Sequence, residues 1–268
     1  MRRRRTVGLA VTLRVCHGKT CRSHQHGVQL SKTGVALNGS DVHACPRASD
    51  HNGRRFGGGP VLIADEFFLI AHNDIRGRAK LHPAATGLGL AGGLLGELIL
   101  YGHITVANGQ VGVIDRRPPA DALAHTVLDQ LIGEAQHQSV RTWLSFLAQT
   151  AVTAVGERLA RAGALRRQES RRLLRTTVSY VPIDPNVAAW PATRLRAVLE
   201  RPDPPSVPDA LLLGLVASAG LTREVLWSAG PRAHHRLNLI IPALPAPLKE
   251  LVAHTEAAVG AAVLRGIP

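Results

Sequence analysis

Apolar side chains in residues 61–268 mostly recur every three or four positions, which is the spacing of helices that bury one face. Residues 61–73 follow this spacing and predict a short helix. Asp121 and Asp209 are of the residue type that caps helices, and each predicts the start of one. Further helices are predicted over residues 121–131, 140–147, 152–162, 193–199, 210–221 and 248–264.

Residues 87–102 are apolar on every side of a predicted helix, which Pro83 and Thr86 are suited to open. A helix of this kind belongs in a protein core or in a membrane. Its apolar run of about 15 residues is shorter than the roughly 20 that cross a bilayer, and Glu97 interrupts it. We therefore predict a central buried helix, whose glycines let neighbouring backbones approach closely.

Two segments alternate in the manner of strands rather than helices. Residues 104–114 contain the turn dipeptide Asn108-Gly109 and predict a small hairpin, and residues 164–182 predict a second one. The predicted fold class is mainly α: a single-domain helical bundle with a buried Gly-rich central helix and one or two small β-hairpins.

The first sixty residues differ from the rest in composition. They carry a net charge of +9, against +4 for residues 61–268, and they contain all three cysteines. Their cysteines and histidines fit no common zinc spacing, and Arg14 interrupts the apolar run that a signal peptide would need. We predict that residues 1–60 are a basic leader, either disordered or upstream of the true start, and that one domain follows over 61–268.

The overall charge of +13 does not by itself identify a partner. Arginine outnumbers lysine 28 to 4, which is typical of coding bias in a GC-rich genome. Aromatic residues make up only 3% of the chain, so few rings are available to stack on bases. We expect no nucleic-acid partner.

Gly87, Gly89 and Gly92 match the spacing of a dinucleotide-binding turn. That turn requires a preceding strand, whereas the residues before Gly87 include Pro83 and form no apolar strand. The glycines are therefore predicted to serve close helix packing, and no cofactor is expected.

Acidic residues offer little support for catalysis. Asp65 and Glu66 are adjacent, so on a helix they point about 100° apart and cannot act as an acid–base pair on one substrate. Glu97 lies in an apolar helix, where the structural alternative is that it accepts hydrogen bonds from backbone N–H groups or an arginine. We favour that role, and we predict neither an enzyme nor a metal site.

One dense basic cluster follows the predicted helix over 152–162. Guanidinium groups grip phosphate, and a cluster of them suits an anionic membrane surface, although a solvated arginine face is the alternative. Within eighteen residues the cluster contains Arg158, Arg161, Arg166, Arg167, Arg171, Arg172 and Arg175.

The order of these elements resembles the Golgi phosphoprotein 3 family, and the match is closest to its actinomycete-type bacterial branch. It covers roughly residues 61–265, and its most specific part is the pattern GLxGxLLxELxLxGxI over residues 89–104. The supporting segments are LIADEFFL, GLGLAGGLLGELILYGHI, RRPPADALAHTVLDQL, VRTWL, GERLARAGAL, TRLRAVL and DALLLGLVASAGL.

The resemblance implies a mostly helical domain with a projecting hairpin used in self-association. In eukaryotic members it implies peripheral binding to phosphatidylinositol 4-phosphate on Golgi membranes, and an adaptor role toward the cytosolic tails of glycosyltransferases. It implies no catalysis.

The headgroup-binding residues of the family are not matched in this chain. The family's tryptophan before the Gly-rich helix falls at His82, and an arginine within that helix falls at Ala91. A pair of arginines falls at Thr153 and Gly156 in one register, and at Gln149 and Val152 in another. None of these positions is basic apart from the histidine.

The sequence therefore predicts a non-catalytic, cytoplasmic adaptor that docks on anionic phospholipid, and a soluble protein–protein scaffold without lipid binding is the alternative. Its partners would be a phosphoinositide, by resemblance, the membrane surface and cytosolic tails of membrane proteins, with homo-oligomers formed through the 164–182 hairpin. The candidate headgroup-binding residues are Lys80, His82, Arg158, Arg161, Arg166, Arg167 and Arg171.

Overall fold

A computed structural model describes residues 14–17, 20–23, 62–172, 175–227 and 229–265. The chain divides into two compact units, residues 1–53 and 54–268. In the first unit, strand β1 (Arg14–His17) pairs antiparallel with β2 (Thr20–Ser23). Other residues of the predicted leader, with its remaining cysteine and most of its histidines, lie outside the described part, so the leader stays a prediction.

The second unit is built mainly of helices, which confirms the predicted fold class. Two antiparallel hairpins complete it, formed by β3 (Ile104–Ala107) with β4 (Gln110–Val113) and by β5 (Leu165–Arg172) with β6 (Arg175–Pro182). The helices of its described part are α1 (Ile63–Ala71), α2 (Pro83–Leu100), α3 (Ala122–Gly133), α4 (Val140–Arg161), α5 (Pro185–Glu200), α6 (Val207–Ser218), α7 (Thr222–Leu226), α8 (Pro231–Ile240) and α9 (Ala246–Arg265).

Helix α2 is the centre of this unit, and every residue from 85 to 98 is buried. It packs against α1, α4, α6 and α9. Within the described part of the chain, α2 alone is long and apolar enough to cross a membrane, but 78% of it is buried inside the protein. The helix is therefore a core element of the fold, as the sequence predicts.

The three glycines of the dinucleotide-like pattern lie inside α2 and face other helices. A Cβ added at Gly87 would lie 2.5 Å from the carbonyl oxygen of Ala148, and one at Gly89 would collide with the ring of Phe67. At Gly92 the nearest atoms belong to Leu215 and Thr255. Their predicted role in close helix packing is confirmed.

Replacing Gly87 by alanine is expected to lower the free energy of unfolding by about 1–2 kcal/mol. The new Cβ meets a backbone carbonyl that cannot rotate away, which outweighs alanine's higher helix propensity. Gly260 lies in α9, where a Cβ would meet no described atom within 4 Å, so Gly260→Ala should instead stabilise the protein by about 0.5–1 kcal/mol. Urea unfolding of both variants measures whether the two changes in the free energy of unfolding have these opposite signs.

Several element boundaries differ from the prediction. Residues 140–161 form one helix instead of two, because the polar residues Gln149 and Thr150 lie on its exposed face while Ala151 continues the buried stripe. Helix α5 begins at Pro185, where Asp184 caps it, well before the predicted start. Helix α6 is capped by Ser206, three residues before the predicted cap Asp209.

The region of the adjacent histidines His234 and His235 is helical, although no helix was predicted there. Ala233, Leu237 and Ile240 are buried at helical spacing in α8, and Pro231 opens this helix. The short α7 was also missed. In both cases packing against α5 stabilises a helix with little apolar surface of its own.

Both predicted hairpins are confirmed. Asn108 and Gly109 join β3 to β4 with φ of 54° and 72°, which only glycine and asparagine adopt readily. In the longer hairpin, Leu165 pairs with Pro182 and Arg167 with Tyr180. Tyr180 is buried against α4, where its ring contacts Gly156, so this face of the hairpin is fixed to the helical core.

Candidate functional site

Arg158 on α4 lies at the centre of a buried ion-pair network. Its side chain is 7% exposed, and it donates to Asp65 of α1 at 2.7 Å, to both oxygens of Glu97 of α2 at 3.1 Å, and to Asp121 at 3.0 Å. Glu97 is fully buried and also accepts the backbone N–H of Ala64 at 2.8 Å. The network thus joins α1, α2, α4 and the N-terminus of α3.

Three carboxyl groups pair with the single guanidinium of Arg158, so its one positive charge cannot balance three negative charges. Burial raises the pKa of Glu97 to about 7, against the opposing effect of Arg158. Burial raises the pKa of Asp65 to about 6, again opposed by Arg158. The pKa of Arg158 is raised further above its usual range, because the neighbouring carboxylates outweigh its burial. The arginine therefore stays charged, while the carboxyl groups of Glu97 and Asp65 can retain a proton near neutral pH.

This network corrects one predicted site residue and confirms another interpretation. Arg158 was expected on the lipid-binding face, but it is buried and paired with carboxylates, so it cannot contact a headgroup. Glu97 accepts hydrogen bonds from an arginine and a backbone N–H, as its predicted structural role requires. The arginine cluster seen in the sequence is therefore not one surface: Arg158 belongs to the protein interior, and the exposed arginines belong to the outside.

A second arginine that pairs with two carboxylates is only partly buried, and its pairing was missed at the sequence level. Arg194 of α5 pairs with Glu66 of α1 and with Asp209 in the first turn of α6. Asp65 and Glu66 therefore point to different partners, as expected for adjacent residues on one helix. Arg194 gave no local signal, because its partners lie on α1 and α6.

Lys80 and His82 lie in the segment between α1 and α2. Lys80 pairs with Glu224 of α7, with its Nζ 2.8 Å from Oε2. His82 is exposed and caps α2, where its Nδ1 accepts the backbone N–H of Ala84 at 3.3 Å. Both residues are thus at the surface, but the charge of Lys80 is largely neutralised by its partner.

The remaining predicted cations lie at the end of α4 and on β5. Arg161 and Arg166 are exposed and form no ion pair with any residue that the structure describes. Arg167 is also partly exposed, but it pairs with Glu157 at 2.9 Å and with Glu169. Arg171 belongs to β5, and its side chain lies outside the described part.

The loop before α2 packs against the second hairpin, which brings two distant segments together. Gly77 has a φ of 64°, and a Cβ there would collide with the carbonyl oxygen of Tyr180 on β6. Phe68 of α1 supports the contact, since its ring lies 6.1 Å from that of Tyr180 in an edge-to-face arrangement. The loop residues next to Gly77 therefore lie beside the base of the hairpin.

We call this region the loop–hairpin surface, defined by Ile75, Arg76, Arg78, Arg161 and Arg166. All five side chains are exposed, and Ile75 is 64% exposed. The four arginines form no ion pair with other residues of the described ranges. Arg76 and Arg78 were not among the predicted site residues, because the sequence of a polar loop gives no sign of which strand the loop will contact.

The resemblance places headgroup-binding arginines of the family at Ala91 and, in one of two registers, at Gly156, and both positions lie in closely packed surroundings. Ala91 is completely buried, and Gly156 has the ring of Tyr180 where a side chain would begin. Neither position could present a basic side chain to a headgroup without repacking. The loss of the family's pattern at these positions therefore agrees with the packing of this chain.

One other candidate site in the described part of the chain is a pocket. This pocket of about 440 Å³ between α2 and α3 is lined by Tyr101, Asp115, Arg117 and Asp121, among others. Its carboxylates are already occupied, since Asp115 pairs with Arg117 and Asp121 with Arg158. No group of three or more potential metal ligands occurs among the residues that the structure describes.

These features define a class of protein: a helical domain centred on a glycine-rich helix, with a basic loop and hairpin on its outside. Comparison with protein families identifies its relatives. The model of the family Golgi phosphoprotein 3 (GPP34) matches residues 63–259, so the chain belongs to the Golgi phosphoprotein 3 family. The resemblance read from the sequence is thereby confirmed. A search of curated proteins finds no match.

Proposed function

We propose that this protein is a non-catalytic peripheral membrane adaptor that binds anionic phospholipid through the loop–hairpin surface. Membership of the Golgi phosphoprotein 3 family supports an adaptor role. The observation that carries the lipid-binding part is the contact between Gly77 and β6, because it gathers exposed arginines from two distant segments.

Charge and polarity support this choice of ligand. Each basic residue near an anionic leaflet contributes about 1 kcal/mol of attraction. Arg76, Arg78, Arg161 and Arg166 are available for such contacts, since none forms an ion pair with the described residues. Ile75 adds an exposed apolar side chain at the same loop, which suits the boundary between headgroups and acyl chains.

The proposal retains His82, Arg167 and Arg171 as further headgroup-binding candidates, and Lys80 as a cation held by Glu224. Arg158 is not part of it. By family likeness, the lipid is a phosphoinositide, the protein works on the cytoplasmic face of a membrane, and it engages the cytosolic tails of membrane proteins. We also propose that the β5–β6 hairpin mediates self-association, since the described side chains of β5 from Arg166 to Ser170 are exposed.

Co-sedimentation with vesicles tests the lipid-binding proposal. The full chain should pellet with vesicles that contain phosphatidylserine or phosphatidylinositol 4-phosphate in phosphatidylcholine, and not with phosphatidylcholine alone. The double variant Arg76→Ala/Arg166→Ala should bind anionic vesicles about thirtyfold more weakly, from the loss of two contacts. Added salt should weaken binding, because exposed charges are screened.

A matched control separates this surface from general positive charge. Arg116→Ala/Arg141→Ala removes the same charge from exposed positions, and Arg141 lies about 30 Å from Arg161 along α4. This variant should bind within about threefold of the wild type, because its charges lie away from the contact. Equal pelleting with neutral and anionic vesicles would overturn the proposal and leave a soluble scaffold as the better interpretation.

A further inference from the structure

Trp227, directly after α7, is a strongly exposed aromatic residue with a fixed neighbour. Its side chain is 74% exposed, the highest value among the large apolar residues of the described part. The guanidinium of Arg196 lies over its ring, 5.2 Å from the centroid. Arg196 is itself held in place, because its Nε donates to the carbonyl oxygen of Val225 at 3.0 Å. The indole is thus stacked on one face and open on the rest.

This residue is linked to the loop–hairpin surface by an ion pair. Lys80 belongs to the loop before α2, and it bonds Glu224 of α7, three residues before Trp227. The same ion pair neutralises the acidic residue of α7, whereas Arg223 is exposed and forms no ion pair with a described residue. The residues near Trp227 therefore include the cation Arg196, and the Lys80–Glu224 pair ties α7 to the loop of Arg76 and Arg78.

We propose that Trp227 is an interfacial anchor that enters the headgroup layer of an anionic phospholipid membrane, an inference that rests on the proposed function. Tryptophan favours the boundary between water and hydrocarbon, because one part of the indole is apolar and its N–H is polar. Arg196, over the ring, and the exposed Arg223 of the same helix as Glu224 would complement the negative leaflet. We assign a lipid surface as the partner of Trp227, because this residue adjoins the cation Arg196 and follows α7, which an ion pair ties to the loop of the loop–hairpin surface that would bind anionic phospholipid.

Fluorescence of the full chain on vesicles tests this assignment. The protein has three tryptophans, of which Trp143 is buried and Trp190 is 52% exposed on α5. In a Trp190→Phe background, vesicles of phosphatidylserine and brominated phosphatidylcholine should quench the emission, because bromine quenches an indole that reaches it. Trp227→Ala in the same background should abolish the quenching and weaken vesicle binding about tenfold, from the apolar area no longer buried.

Trp190→Ala is the matched control, since it also removes an exposed indole, and it should bind vesicles within about twofold of the wild type. Both variants should unfold at the same urea concentration as the wild type, because both side chains are exposed. Vesicle binding without quenching, together with undiminished binding of Trp227→Ala, would overturn the anchor while leaving the proposed function intact. Failure of the wild type to bind anionic vesicles would overturn both.

Discussion

Replacing Arg158 by methionine is expected to lower the free energy of unfolding by about 3–5 kcal/mol. Methionine fills a similar volume, so the loss comes chiefly from the carboxyl groups that remain. Glu97 is fully buried and Asp65 nearly so, and neither would keep a cationic partner. Chemical denaturation followed by circular dichroism measures the change.

Arg161→Met provides the control, because Arg161 lies on the same helix three residues later and is exposed. It should change stability by no more than about 0.5 kcal/mol. Adding Glu97→Gln to Arg158→Met should recover part of the loss, since one uncompensated charge disappears. Equal effects of the two arginine substitutions would show that Arg158 does not hold the network together.

The fold follows from the sequence where the signals are local. The glycines and leucines of α2 are apolar on every side, and a helix of that kind can only be buried. Asn108-Gly109 adopts the positive φ that a two-residue hairpin requires. The missed helices are those with weak local signals, such as α8, whose few apolar residues are buried only because α5 lies beside them.

The candidate site depends on contacts that no local pattern reveals. Arg158 and Arg161 look alike in the sequence and lie one helical turn apart. Arg158 is buried and Arg161 is exposed, because the three carboxylates that pair with Arg158 come from the distant residues 65, 97 and 121. The contact of Gly77 with Tyr180 similarly joins segments about a hundred residues apart. A cluster of arginines in a sequence therefore predicts that cations are present, but not which of them face outward.

Both roles of arginine occur within this one segment of chain. The buried network fixes the end of α4, from which Arg161 and the β5–β6 hairpin extend. Tyr180 reinforces the arrangement, since its hydroxyl donates to Glu157 of α4 at 3.0 Å while its backbone contacts Gly77. The proposed lipid-binding cations thus extend from a rigid base, which reduces the conformational entropy that binding would cost.

The stability of the protein relative to a Glu97→Gln variant is expected to fall by about 2–3 kcal/mol between pH 5 and pH 8. The pKa of Glu97 is about 7 in the folded protein and 4.5 when unperturbed. Between these values the folded state binds more protons than the unfolded state, so unfolding becomes easier as the pH rises. Glutamine has no proton to lose and resembles the protonated acid, so this contribution is absent from the variant.

Comparing the wild type with Glu97→Gln at each pH removes the contributions to the pH dependence of stability that both proteins share. One such contribution has the opposite sign: burial lowers the pKa of His72, so its stabilising effect is lost as the pH falls. Asp65 remains in both proteins, and burial raises its pKa in the folded state. Urea unfolding at several pH values measures the difference. If the variant loses stability relative to the wild type as the pH rises, the carboxylate form of Glu97 is the one that Arg158 requires, and the sign assigned here is wrong.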